Sequence, residues 1–295
     1  MSDNTLESPE TETVFATTQS LMQQILNPHY LNNSINLPQN NITSGFRAID
    51  AITKGFQNGE LVTIAVRPGI GKTSFMLSMV NNIALNNNYA CGIFSLERKS
   101  EKLVQRIIQS NTGINLDKIN SEKITEIEKN HVNTLAATLN NATIFFDDQI
   151  GISTDTVAEK ARLMKNAGAQ IIFVDNLELI HSNNSIDKCE DNDLCATITD
   201  LQQLAKELNI PIVLFSILKK PIIYKNKYKY TPDYVNENSN TLIFLNRPSY
   251  YHINQIDKTP EDEVEITIAK NINIGEMVMA KLRIIESLGQ YKDID

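Results

Sequence analysis

TIAVRPGIGKTSFMLSMV, residues Thr63 to Val80, decides how the rest of the chain is read. An apolar run gives way to a turn holding Pro68, Gly69 and Gly71, and then to a helical pattern that begins at Lys72. A phosphate cradle needs that order. Backbone N–H groups of a glycine-containing turn wrap the phosphates, and the following helix adds the positive end of its dipole. A lysine there reaches the β- and γ-phosphates, and the hydroxyl after it binds Mg²⁺. Gly71, Lys72 and Thr73 fill these places. The whole turn (Arg67, Pro68, Gly69, Ile70, Gly71, Lys72, Thr73 and Ser74) is the candidate site for ATP, with Thr73 also a ligand for Mg²⁺. One position departs from the strict pattern: the residue that opens the loop, usually Gly or Ala, is Val66. Gly69 adds backbone freedom that partly offsets this. Gly-Lys-Thr alone is a weak signal, but the strand before it and the helix after it favour nucleotide binding over a structural turn.

Working outward, the apolar runs ELVTIAV, CGIFSL, ATIFF, QIIFVD and PIVLFSI read as strands, with helical patterns starting near Lys72, Ser100, Ser153 and Asp193. Strands apolar throughout that alternate with helices predict an α/β fold, a mostly parallel sheet covered on both faces. The tail differs. TLIFLN, EVEITIAK and EMVMAKLRIIE follow with no helix between them, and the last two are expected to form an antiparallel hairpin at the sheet edge.

Residues 1–13 are polar and acidic and read as a disordered tail, and 14–43 as a short amphipathic helix (Val14 to Asn27) with an Asn-rich linker. Residues 44–295 form the main domain. The helix packs either on its own domain or on a neighbouring subunit.

QIIFVD ends in Asp175, the shape of a Walker B strand whose carboxylate holds Mg²⁺. A carboxylate closing a buried strand is costly without a partner, which leaves a purely structural role little room. Glu97 follows the neighbouring strand. Its place suits a base that polarises the attacking water, and it equally suits a surface acid capping the next helix.

The chain has 295 residues, with 35 Asp+Glu against 27 Lys+Arg, which argues against a generally basic nucleic-acid-binding surface. Cys91, Cys189 and Cys195 form no C-x-x-C pair, the four histidines are scattered, and no apolar run reaches the length of a membrane span. A cytoplasmic protein with no membrane partner is expected.

These blocks, in this order, resemble the C-terminal ATPase domain of DnaB-type replicative helicases. The likeness opens with TSGFRAIDAITKGFQNGELVTIAVRPGIGKTSF and continues through GIFSLERKSEKLVQRI, IFFDDQIGISTDTVAEKARLMK, QIIFVDNLELI and LAKELNIPIVLFSIL. It implies a RecA-like P-loop NTPase fold, a hexameric ring, and ATP bound between subunits. It also implies phosphate and Mg²⁺ on Lys72 and Thr73, Glu97 as the catalytic base, and Asp175 on the metal. No block of the sequence resembles the family's own N-terminal domain.

Four departures from the family pattern stand out. The family completes each site from the next subunit with a Lys and, two residues on, an Arg. IAKNINIGE keeps Lys270 but has Ile272 in the arginine's place. Such arginines contribute roughly 10³–10⁵ in rate where measured. Ile217 replaces the Gln after Ser216 that senses the γ-phosphate, the DNA-gripping Arg-Glu-Ser-Gly turn has no counterpart in PDYVNENSNTL, and the first DNA loop, HSNNSIDKCEDNDLCA, is acidic. Arg67, Arg247 and Arg283 are open as replacements for the missing arginine.

Against a complete loss of DNA contact stands LKKPIIYKNKYKYTP. Lys219, Lys220, Lys225, Lys227 and Lys229 are interleaved there with Tyr224, Tyr228 and Tyr230. Lysines tracking phosphates and tyrosines stacking on bases hold single strands. A solvated β-ribbon has the same alternation. Two functions are weighed on this basis. One is a replicative helicase ATPase acting on single-stranded DNA. The other is a catalytically weakened paralogue, an ATP-binding scaffold that docks on another helicase or replication protein.

Overall fold

The computed structural model describes residues 41–114, 118, 124–181, 190–218, 222–224, 227–229, 238–251 and 260–294. The tail, the Val14–Asn27 helix and most of the linker lie outside the described residues, as do Lys219, Lys220, Lys225 and Tyr230.

Among the described residues nine strands form one sheet: β1 Leu61–Val66, β2 Cys91–Ser95, β3 Ile144–Asp147, β4 Ile171–Asp175, β5 Ile212–Ile217, β8 Thr241–Asn246, β9 Glu263–Lys270, β10 Val278–Ile285 and β11 Gln290–Asp293. β6 Ile222–Tyr224 and β7 Lys227–Lys229 pair separately as an antiparallel ribbon. The sheet order is β11-β10-β9-β8-β1-β5-β4-β2-β3, parallel from β8 to β3 and antiparallel from β8 to β11. The expected hairpin is β9–β10, although β11, four residues long and not anticipated, lies outside it. β1 sits between β8 and β5, so the chain leaving it for β2 must cross over β5 and β4. That crossing opens a crevice at the carboxyl ends of the strands, where α/β sheets bind ligands.

Both faces are dry. Successive residues of β5 point to opposite layers: Val213 and Phe215 join one cluster, Ile212 and Leu214 the other. The first cluster takes in helix α2 (Lys72–Val80), which continues as a wider turn over Asn81–Asn86, and Leu103 and Ile107 of α3 (Ser100–Thr112). The second takes in α5 (Thr154–Asn166) and α6 (Glu190–Leu208) through Val157, Ala161, Ile198, Leu201 and Ala205. Burial on both sides is what removes the polar alternation from these strands.

Two helices not anticipated from the sequence are α1 (Arg47–Thr53) and α4 (Glu126–Asn141). The N-terminus of α1 is closed by a residue at the far end of the chain: Asp293 accepts the N–H groups of Arg47 (2.9 Å) and Ala48 (3.1 Å). α4 buries none of its residues, so its apolar period is faint, but Thr125 and Glu128 form a capping box at its start.

At the opposite sheet end from the crevice, Glu60 is 7% exposed, its carboxyl accepting the Gln57 N–H at 2.8 Å and the Thr241 hydroxyl. Burial pushes its pKa above the ordinary 4.5, against the pull of those two hydrogen bonds. The folded state then keeps a proton that the unfolded chain has released. The associated stability is full below about pH 4.5 and is lost as pH rises through the folded pKa. In urea denaturation, Glu60→Gln is expected to gain on the wild type as pH rises from about 5 to 8. A difference that stays constant with pH contradicts this assignment.

Candidate nucleotide site

β1 ends at Val66, and the turn after it is built for close approach. Gly69 (φ 81°) and Gly71 (φ 103°) both adopt left-handed conformations, and Gly71 is the N-cap of α2 with no side chain capping the helix. The first helical hydrogen bond runs from the Phe75 N–H to the Gly71 carbonyl, at 2.9 Å. The helix therefore presents its N-terminal N–H groups and dipole end to the turn. Side chains are excluded here on steric grounds as well. A Cβ on Gly69 would stand 2.6 Å from the Tyr250 hydroxyl, and one on Gly71 3.0 Å from that of Tyr291. Val66, the odd residue of the pattern, is 1% exposed and belongs to the first hydrophobic cluster, which explains why a valine is tolerated.

The loop is held from below. Tyr291, on β11, donates its hydroxyl to the Ile70 carbonyl at 2.6 Å, and its ring meets Phe75 edge-on (5.1 Å), while Phe75 stacks on Phe46 (5.3 Å). Burial raises the Tyr291 pKa far enough that the phenol stays a donor at physiological pH.

Three strand ends deliver the charged groups. Lys72 pairs with Asp175 Oδ1, at the end of β4, and with Glu97 Oε2 at 3.3 Å, just past β2. Thr73 Oγ1 donates to Asp175 Oδ2 at 2.9 Å. Glu97 does not cap α3: the Ser100 N–H goes to Asp148 Oδ2 at 2.7 Å, leaving Glu97 facing Lys72 and, at 3.8 Å, Arg98. Lys72, Thr73 and Glu97 line an open cavity of about 370 Å³ together with Arg67, Arg98, Arg106 and Ile217, while Asp175, bonded to Lys72 and Thr73, is buried. Arg106 is shifted down by burial and by nearby Arg98, but a guanidinium stays charged under such shifts. Arg98 and Arg106 were missed from sequence. The signal for Arg106 was its position three residues after buried Leu103, on the inward side of α3.

The donor set fits the groups it is expected to take. An uncapped helix start, a lysine and several arginines suit a polyphosphate, and the Thr73 hydroxyl with the Asp175 carboxylate supplies the hard oxygens that Mg²⁺ takes. Among the described residues no group of three or more His, Cys, Asp or Glu is placed to hold a metal ion.

Asn176 and Glu178, also missed, lie beside this cavity. Glu178 accepts from the Ser216 hydroxyl (2.6 Å) and the Ile217 N–H (2.7 Å), and burial raises its pKa against those bonds and nearby Lys72.

Lys270 is not brought to this cavity. β9 runs antiparallel to β8, so Lys270 pairs with Leu242 near the start of β8, at the opposite end of the sheet. There it lines a separate cavity of about 340 Å³ with Asn271, Ser239 and Ile272, which is 81% exposed. Lys270 is therefore remote from the cradle of its own chain. Two of the substitute arginines are engaged within the chain. Arg247 donates twice to the Glu261 carbonyl and pairs with Glu286, and Arg283 pairs with Asp262 at 2.9 Å. Arg67 lies in the loop itself. Of the ribbon, Lys227, Tyr228 and Lys229 fall in β7, with Tyr228 opposite Ile223.

The family described as DnaB-like helicase C terminal domain matches residues 41–293. The chain belongs to the DnaB-like helicase C-terminal domain family. It is 28% identical over 263 residues to the replicative DNA helicase DnaC of Bacillus subtilis (strain 168), covering 86% of this chain and 57% of that protein. It is 28% identical over 261 residues to the replicative DNA helicase DnaB of Geobacillus stearothermophilus, with the same coverage. The chain thus spans little more than half the length of these relatives. A solved ATPase domain superposes with a TM-score of 0.78 at 23% identity, covering 95% of this chain and all of that one. A DnaB-like replicative helicase, described with its interactions with primase, superposes with a TM-score of 0.76 at 24% identity, covering 94% of this chain and 70% of that one. These two likenesses establish the RecA-like fold. Among the described residues no helix is long and apolar enough to cross a membrane.

Tyr291→Phe isolates the support under the loop. It leaves the buried Ile70 carbonyl without its donor and is expected to cost about 1–2 kcal/mol in chemical denaturation. A loss under about 0.3 kcal/mol would show that the hydroxyl does not hold the loop.

Proposed function

We propose that this chain is the ATP-binding and ATP-hydrolysing module of a DnaB-like replicative helicase, working on single-stranded DNA in a hexameric ring in the cytoplasm. The observation that carries it is the bracket of Asp175 and Glu97 around Lys72, with Thr73 on the same aspartate, under an open helix N-terminus.

In this account the main chain of Gly69 to Ser74, flanked by Arg67 and Pro68, wraps the phosphates. Lys72 exchanges its carboxylate partners for phosphate oxygens. Thr73 and Asp175 would hold Mg²⁺, which would supply charge neutralisation for a bound triphosphate. Glu97, freed from Lys72, takes a proton from the attacking water. Lys270 serves the neighbouring subunit's cradle. Lys219, Lys220, Lys225, Lys227, Lys229 and Tyr228 are the proposed DNA contacts.

A second account is favoured by one observation. Ile272 is exposed on the turn after β9, two residues past Lys270, where a charge-stabilising arginine is expected from the resemblance. A chain so altered serves as an ATP-binding scaffold for another helicase or replication protein.

Steady-state ATP hydrolysis with and without single-stranded DNA separates the two. A working module shows turnover that rises with DNA and falls about 100-fold or more in Lys72→Ala. Glu97→Gln keeps nucleotide binding and loses about 10²–10⁴ in turnover. Binding without turnover in the wild type overturns the first account and leaves the scaffold.

A further inference from the structure

Lys72 has three N–H donors. Asp175 Oδ1 and Glu97 Oε2 take two of them, and the side-chain oxygen of Asn176 takes the third at 3.0 Å, in the amide orientation that satisfies both ends of that side chain. In the same orientation the Asn176 nitrogen donates to Glu178 Oε2 at 3.1 Å. The other oxygen, Oε1, accepts from the Ser216 hydroxyl and the Ile217 N–H. The hydrogen bonds form one unbroken chain from the cradle lysine to the last residue of β5. One residue on, the Leu218 N–H returns to the Val66 carbonyl at 2.9 Å, and the ribbon of β6 and β7 follows.

The geometry points to Asn176 and Glu178 as a relay that reports occupancy of the phosphate cradle to the end of β5 and the Lys-Tyr ribbon beyond it, an inference that rests on the nucleotide-binding account above. A triphosphate competes for the Lys72 ammonium. When Lys72 turns to it, the Asn176 oxygen loses its donor. Asn176 is 2% exposed, so water cannot replace that donor without rearrangement, and a buried amide reorients instead. Reorientation breaks its bond to Glu178 and loosens the carboxylate's hold on Ser216 and Ile217. Glu178 is a positioning residue here, since its bonds go to Asn176, Ser216 and Ile217 and it meets the cradle lysine through Asn176. Ile217, lacking a polar side chain, contributes through its backbone.

Donor and acceptor order makes the relay testable. In Glu178→Gln an oxygen still accepts from Ser216 and Ile217, but the new NH₂ faces the Asn176 nitrogen. Asn176 must then turn its own NH₂ toward Lys72, and the chain is broken with the β5 anchor intact. Adding Asn176→Asp restores it: the introduced glutamine donates to one oxygen of the introduced aspartate and Lys72 to the other, at unchanged net charge.

The experiment is hydrogen–deuterium exchange over residues 215–229 of the full chain, with and without Mg²⁺ and a β,γ-imido ATP analogue, with fluorescent-nucleotide binding measured in parallel. In the wild type the analogue is expected to change exchange there by about fivefold or more. In Glu178→Gln that response is lost while the analogue still binds, and in the double variant it returns. Should Glu178→Gln not fold, Asn176→Ala cuts the same chain at its middle and carries the same expectation. A wild type that binds the analogue without a change in this segment overturns the relay alone. So does a single variant that responds normally, or a double variant that does not recover. A wild type that binds no nucleotide overturns the functional account and the relay together.

Discussion

The ammonium of Lys72 stands between the carboxylates of Asp175 and Glu97, and much of the domain is arranged to keep it there. Those three groups come from the ends of β1, β4 and β2, which occupy separate places in the sheet order and converge only because the chain crosses over between them. Asp175 is 1% exposed, and an unpaired carboxylate at that depth would be costly. Lys72 and Thr73 compensate it, so the loop is held near a geometry useful to a phosphate before any ligand arrives. The stack of Phe46, Phe75 and Tyr291 fixes the helix start and the loop carbonyl from beneath.

The site divides by chain geometry. The carboxyl ends of β1, β2 and β5 meet around one cavity, with Asp175 of β4 buried against Lys72 and Thr73. Lys270 and Ile272, at the far end of the antiparallel strand β9, face the opposite way. In the proposed function the cradle groups therefore come from a single chain, while Lys270, proposed to serve a neighbouring subunit, is followed two residues on by an exposed isoleucine. With Arg247 and Arg283 engaged in their own chain, the exposed Ile272 turn is the feature on which motor and scaffold differ.

Where the physical signal was local, it was legible in the sequence. β1, β2, β4, β5 and β8 showed as apolar runs because both their faces are buried, β3 as a shorter run that is half-buried, and the cradle through Gly71, Lys72 and Thr73 between a strand and a helix. What was missed depended on partners distant in sequence. α1 has no cap of its own and borrows Asp293; Tyr291 supports Ile70 from the other end of the chain. Glu97 had two roles open until the structure gave the helix cap to Asp148. Asn176 and Glu178 stand in the quoted strand-end block, but their meaning depends on an encounter with Ser216 and Ile217 that no spacing rule anticipates.

If Lys72, Thr73 and Asp175 are arranged in advance to hold a magnesium-bound triphosphate, an equilibrium titration of the full chain with ATP, in Mg²⁺ and then in excess chelator, will show it. Saturable binding with a dissociation constant of about 1 mM or tighter, weakened about tenfold or more by the chelator, is the predicted result. No saturable binding in either condition, or binding indifferent to Mg²⁺, would contradict it.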